Sequence, residues 1–173
     1  MSRKDLRIED LTVVVDSREQ LPLNLYPMTE VRGSLQTADY SLLGCEHLIA
    51  IERKSGADFL GCVGQGRERF ERELERMLAY RYRCMVIETT YGMLMTGDPL
   101  LYGRTKVTPN AAVACATRWA TRGIHVHFAG SRQAAEHFVK FFLWLSAKEL
   151  WEMSRSLHPQ LKIATKPSEL ETA

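Results

Sequence analysis

Apolar residues fall into two kinds of run along this chain. Val13-Val14-Val15 and Met85-Val86-Ile87 are short and unbroken, as expected for central strands covered on both faces of an α/β sheet. Phe70, Leu74, Met77 and Leu78 instead recur at helical spacing, with Arg69, Arg72 and Arg76 on the opposite side, which predicts an amphipathic helix over 67–81. Read in order, the chain gives strand 12–16, a strand near 31–36, and hairpin strands 39–43 and 47–53 turning through Gly44-Cys45-Glu46. Helix 67–81, strand 84–88, helix 109–122, strand 124–128 and helix 131–150 follow. Thr108 before Pro109 reads as an N-cap with proline at the first helical position, Gly123 closes that helix, and Ser131 can cap the last one. Strands first and then strands alternating with helices imply a three-layer α/β/α fold around a central mixed sheet. One domain is expected over 1–153, followed from Ser154 by a flexible tail that carries Pro159 and Pro167.

Composition narrows the class without naming a chemistry. At 173 residues, 45% hydrophobic and 25% charged, the chain has material for one domain with an ample core. The start alternates charges with no apolar signal segment, and no stretch reaches the ~18 apolar residues of a membrane span, so an intracellular, cytoplasmic protein with no membrane partner is expected. The four cysteines, Cys45, Cys62, Cys84 and Cys115, are far apart and form no zinc-ligand spacing, so they read as reduced and partly buried. A net charge of +2 is only mildly basic, so any nucleic-acid footprint must be local.

The densest chemistry lies in Ile51-Glu52-Arg53-Lys54-Ser55. Side chains two apart on a strand share a face, so Glu52 and Lys54 project together while Arg53 points away. The predicted hairpin carries Asp39 alongside Glu52. Two hard oxygen ligands with open positions suit Mg²⁺ or Mn²⁺, and Lys54 beside them can orient or deprotonate an attacking water. This reads as a metal-dependent phosphodiesterase site; the plainer alternative is a pair of surface charges at a strand end.

Taken with their neighbours, these residues resemble a known family. Val13-Val14-Val15-Asp16-Ser17-Arg18-Glu19, Ala38-Asp39-Tyr40, Ile51-Glu52-Arg53-Lys54-Ser55 and Asp58-Phe59 look like the nuclease domain of the XPF/Hef family, whose pattern is D-x-R-E, then G-D, then E-R-K-x-x-x-D. The likeness continues through Gly66-Arg67-Glu68-Arg69-Phe70, Val86-Ile87-Glu88, Pro109-Asn110-Ala111 and Gly123-Ile124-His125-Val126. The resemblance implies a restriction-endonuclease-like core and a divalent-metal-dependent DNA endonuclease acting on branched DNA such as flaps and forks. It brings Asp16 and Glu19 into the acidic cluster, setting Asp16, Asp39 and Glu52 around the metal, and gives Arg18 and Arg53 to phosphate placement. Asp58 keeps three readings: support for the ligands, a minor ligand, or a charge at a helix N-terminus.

One departure stands out, because the family's glycine before the aspartate is Ala38 here. If that position needs a positive φ, alanine carries a strain of ~1 kcal/mol. The tandem helix-hairpin-helix module usual in the family is not expected, so branch recognition would come from a second copy or a separate DNA-binding partner. The rival class is a non-catalytic DNA-binding or scaffold subunit, but such partners typically lose acidic or lysine positions that are all present here.

The remaining motifs are weaker. Gly61-Cys62-Val63-Gly64-Gln65-Gly66 lacks the ending of a P-loop and reads as a mobile connection able to contact or admit DNA. Glu68, Glu71, Glu73 and Glu75 interleave with the helix arginines and are expected to pair with them, with the Arg67 end as a candidate DNA contact. His125 and His127 read as sheet packing rather than a metal pair. Phe138, Val139, Phe141, Phe142, Leu145 and Trp151 exceed one buried stripe, and the family resemblance makes the surplus a homodimer interface.

Overall fold

The structure is a computed structural model that describes residues 5–103 and 105–164, with 158–164 described by their backbone alone. It is a mixed six-stranded sheet with helices on both faces, the α/β class expected. The strands are β1 (Thr12–Asp16), β2 (Thr29–Gly33), β3 (Tyr40–Leu42), β4 (Ile49–Ser55), β5 (Tyr82–Glu88) and β6 (His125–Phe128). They lie in the order β2-β1-β3-β4-β5-β6. β3 runs antiparallel to both neighbours, β1 and β4, and every other pairing is parallel.

Alternation along β4 and β5 builds two cores. Ile49, Ile51, Cys84 and Val86 pack with Val139 and Leu143 of the last helix, α6 (Arg132–Ala164). Ala50, Met85 and Ile87 face the other way, onto α1 (Gly56–Val63), α2 (Arg67–Met77) and α5 (Pro109–Thr121), where Phe59, Phe70 and Trp119 are fully buried. Two short helices, α3 (Tyr91–Thr96) and α4 (Pro99–Tyr102), link β5 to α5. Thr108 caps α5 through the Ala111 N–H, Pro109 opens that helix, and Gly123 takes a φ of 89° after it, as expected.

Several boundaries differ from the periodicity. The region of Gly61, Cys62 and Val63, expected as a mobile connection, is the last turn of α1. Its glycines mask the helix in the sequence, but buried Phe59 and Leu60 hold it against the sheet. Gly56 opens it because a Cβ there would lie 2.5 Å from Leu101 Cδ1. α3 and α4, of six and four residues, are too short for a periodic signal. α2 stops at Met77 rather than at 81. α6 runs on to Ala164, so the boundary expected at Ser154 falls inside a helix; residues 165–173 lie outside the described residues. Among the described residues no helix is long and apolar enough to cross a membrane.

Candidate active site

The site forms where β1, β3 and β4 meet. Tyr40 pairs with Ile51, which brings Asp39, one step before β3, beside Glu52. The chain enters that step through Ala38, whose φ of 66° is in the left-handed region, the conformation that a glycine takes without strain. The Asp39 N–H donates to the Ile51 carbonyl at 2.9 Å, and Asp39 Oδ2 accepts the Arg53 N–H at 2.8 Å. The aspartate is thereby locked to the strand that carries the glutamate and the lysine.

Glu52 is fully buried. Its Oε1 accepts from the Lys54 ammonium, while Oε2 has no hydrogen-bond partner. An unpaired buried carboxylate oxygen is costly and calls for a proton or a cation. Burial, then the charge of Asp39, pushes the Glu52 carboxyl up to about 8 despite Lys54. Asp39 rises to about 6, again mainly by burial, with Glu19 and Glu73 adding to the push. For Lys54 burial alone would favour the neutral amine, but Glu52, Asp39 and Glu73 outweigh it and raise its pKa above the ordinary value. The three neighbouring carboxylates thus favour the ammonium form of Lys54.

The other expected residues are placed differently. Asp16 ends β1 and is buried, but its oxygens accept from Arg18 Nε at 2.6 Å, Arg18 Nη2 at 3.1 Å, and the N–H groups of Arg18 and Leu35 at 2.9 and 2.8 Å. Burial opposes its charge, yet these donors hold its carboxyl below the ordinary range. The expected trio of Asp16, Asp39 and Glu52 is thus not assembled as a cage: among the described residues no group of three or more His, Cys, Asp or Glu side chains is arranged to hold a metal ion. Arg18 leaves 70% of its side chain exposed at the mouth of the site, where its charge also acts with Asp39 and Glu73. Glu19 is nearly buried, with Oε1 accepting the Leu21 N–H at 2.7 Å and lying 3.9 Å from Arg53 Nη1.

Arg53, expected at the phosphate, has its guanidinium on the far face of the sheet. Its fork meets Glu88 at 2.9 and 2.8 Å, and it serves the site through its backbone N–H. The physical reason is the strand alternation that sets it opposite Glu52 and Lys54. Asp58 lies outside the cluster: it accepts from Ser55 Oγ at 2.7 Å while its N–H donates back at 3.1 Å, a reciprocal cap on α1.

Sequence reasoning missed Glu73. It is on α2 with Oε2 4.0 Å from Lys54 Nζ, and its position three residues after Phe70 and four before Met77, both buried, was the available signal. An acid inside the apolar stripe faces the sheet rather than water. Elsewhere on α2 the expected pairing is present, with Arg67 on Glu71 at 3.1 Å. His125 and His127 pack on α6, the His127 ring stacking on Phe138 at 3.7 Å between centroids.

The residues present fit Mg²⁺ or Mn²⁺, which take one or two carboxylates and keep several waters: Asp39 and Glu52 converge, and Glu52 Oε2 lacks any other partner. A Glu-x-Lys strand inside a mixed sheet, with helices on both faces, defines an α/β domain of the class that the family resemblance implied. Sequence comparison narrows that class, since the ERCC4 domain matches residues 2–142. The chain belongs to the ERCC4 domain family, a family of structure-specific DNA nucleases. Among solved structures, XPF from Aeropyrum pernix is similar at 17% identity with a TM-score of 0.62, over 78% of this chain and 61% of its own. A structure of XPF from Aeropyrum pernix in complex with DNA is similar at 18% identity and the same TM-score of 0.62, over 80% of this chain and 66% of its own. The chain therefore spans about two thirds or less of those structures. A search of curated proteins found no significant match.

Proposed function

We propose that this chain is a divalent-metal-dependent endonuclease that hydrolyses phosphodiester bonds in DNA, with branched substrates such as flaps and forks. The observation that carries the reading is Glu52 Oε2, buried and unpartnered beside Asp39 and Lys54. Asp39 and Glu52 would hold Mg²⁺ or Mn²⁺. Bound there, the ion supplies Lewis-acid polarisation of the scissile phosphate and a more acidic water. Lys54, an ammonium, positions that water and offsets negative charge developing on the phosphoryl oxygens. Arg18, exposed at the mouth and oriented by Asp16, meets the incoming backbone with Nη1, since Nε and Nη2 are engaged by Asp16 and the Leu35 carbonyl. Asp16 thus serves the site through Arg18.

Branch recognition would draw on a second copy of the chain, joined through the α6 surface that exposes Phe141, Leu145 and Trp151, or on a separate DNA-binding partner. Cleavage of labelled flap, fork and linear duplex DNA with Mg²⁺, Mn²⁺ or EDTA tests the reading. Metal-dependent cutting of the branched substrates is expected. DNA binding without cutting under every condition would instead favour the scaffold class.

A further inference from the structure

Glu73 is set apart from the other acids of its helix. Glu68 pairs with Arg72, Glu71 with Arg67 and Arg118, and Glu75 with Arg122. Glu73 instead turns inward to Lys54 at 4.0 Å, with 26% of its side chain exposed. Its place is fixed, because Thr37 Oγ1 donates to the Glu73 carbonyl at 3.3 Å and the buried Phe70, Leu74 and Met77 anchor the helix on either side. Lys54 Nζ lies 5.8 Å from the Phe70 ring centroid, so a π face lines its surroundings.

Resting on the nuclease reading above, we propose that Glu73 is the second seat of Lys54. Lys54 pairs with Glu52 Oε1, and Glu52 Oε2 is buried without a partner, so Glu52 is the carboxylate that a cation would claim. Once a divalent cation takes up that negative charge, the attraction between Glu52 and Lys54 is cancelled and two cations face each other. Glu73 then receives the ammonium and keeps it in the site. Glu73 is a positioning residue acting through Lys54, which it holds where the water and the phosphate meet. Without it the ammonium stays on Glu52 and competes with the metal.

The test is Mn²⁺ binding to DNA-free protein by titration calorimetry, for wild type, Glu73→Gln, Lys54→Met and the double variant. Glu73→Gln should weaken Mn²⁺ binding about tenfold when Lys54 is present and less than about twofold when Lys54 is Met, the non-additivity expected of residues acting as a unit. Glu73→Asp, which keeps the charge, should retain most of the affinity, so a folding defect is separated from the loss of charge. Equal losses in both backgrounds would mean that Glu73 ligates the metal directly, and no loss in either would make it a spectator. Both results overturn the proposal while leaving the nuclease reading intact. A wild type that binds no Mn²⁺ overturns the two together.

Discussion

The two faces of β4 carry the same kinds of side chain and treat them in opposite ways. On the α6 face, Arg53 meets Glu88 with both arms, Glu19 lies 3.9 Å from Arg53, and Arg132 approaches Glu88 at 3.8 Å. Arg132 also donates to the carbonyls of Leu21 and Pro22, tying the loop after β1 to the helix. On the opposite face, Glu52 has one partner for two oxygens, and three carboxylates share the single ammonium of Lys54. Buried charge that is matched holds a fold together, whereas buried charge left unmatched awaits a ligand. One strand does both because its side chains alternate.

The largest effect that can break this comparison is on activity. Glu52→Gln, Asp39→Asn and Lys54→Ala should each lower single-turnover cleavage by about 10²–10³-fold or more, the scale of losing one pre-organised electrostatic group. Glu52→Gln should at the same time leave the metal-free protein as stable as wild type or more so at pH about 8, because the amide removes a buried charge. Full cleavage by all three variants would remove the catalytic role from this face.

The matched face should respond the other way round. Glu88→Ala strands Arg53, whose side chain is only 11% exposed, and should cost about 3 kcal/mol of stability, as breaking a largely buried pair does. Urea unfolding measures it. The metal affinity of the folded fraction should change little. A stable Glu88→Ala protein that had lost its metal site would show that the two faces work as one.

Titration sharpens the contrast further. Glu52 sits at about 8 and Asp39 at about 6, against ordinary values of 4.5 and 3.8. Both are raised in the folded state, so the native protein keeps protons that the unfolded chain has already released. Stability is then highest at low pH within this window and falls as pH rises from about 4 to about 8. Urea midpoints in EDTA across that range should decline, and Glu52→Gln should flatten most of the slope. Added Mg²⁺ should stabilise more at the upper end, where the carboxylates are free of protons. A wild-type midpoint that climbs across the window would contradict the raised values.

Much of this architecture was legible in the residues. The unbroken runs Val13-Val14-Val15 and Met85-Val86-Ile87 gave the central strands because a strand covered on both faces needs apolar side chains at successive positions, and both runs are buried throughout. The Glu-x-Lys spacing gave the shared face of Glu52 and Lys54, and the hairpin gave Asp39 beside them. Strand alternation also put Arg53 on the far face, although it could not show that Glu88 waits there. What stayed hidden depends on contacts between distant segments. That Asp16 turns to Arg18 and Leu35 is decided by the loop after β2. Glu73 reaches Lys54 only because α2 docks on the β4 face, and α1 forms despite its glycines because Phe59 and Leu60 have a core to enter.

The smallest effect is expected at the entrance to the site. Ala38 holds a φ of 66° and is nearly buried, its methyl packed in the α1–α2–α5 core. Ala38→Gly relieves left-handed strain of ~1 kcal/mol but removes a buried methyl of ~0.8 kcal/mol and loosens the unfolded chain by a further ~0.4–1 kcal/mol. These nearly cancel, so stability should fall by less than about 1 kcal/mol. Cleavage should stay within about twofold of wild type or rise, since Asp39 is held by the Arg53 N–H and the Ile51 carbonyl, which do not depend on that methyl. A tenfold loss of cleavage in a folded Ala38→Gly protein would show that the methyl itself steers Asp39, and the unmatched face would then owe its geometry to packing as much as to charge.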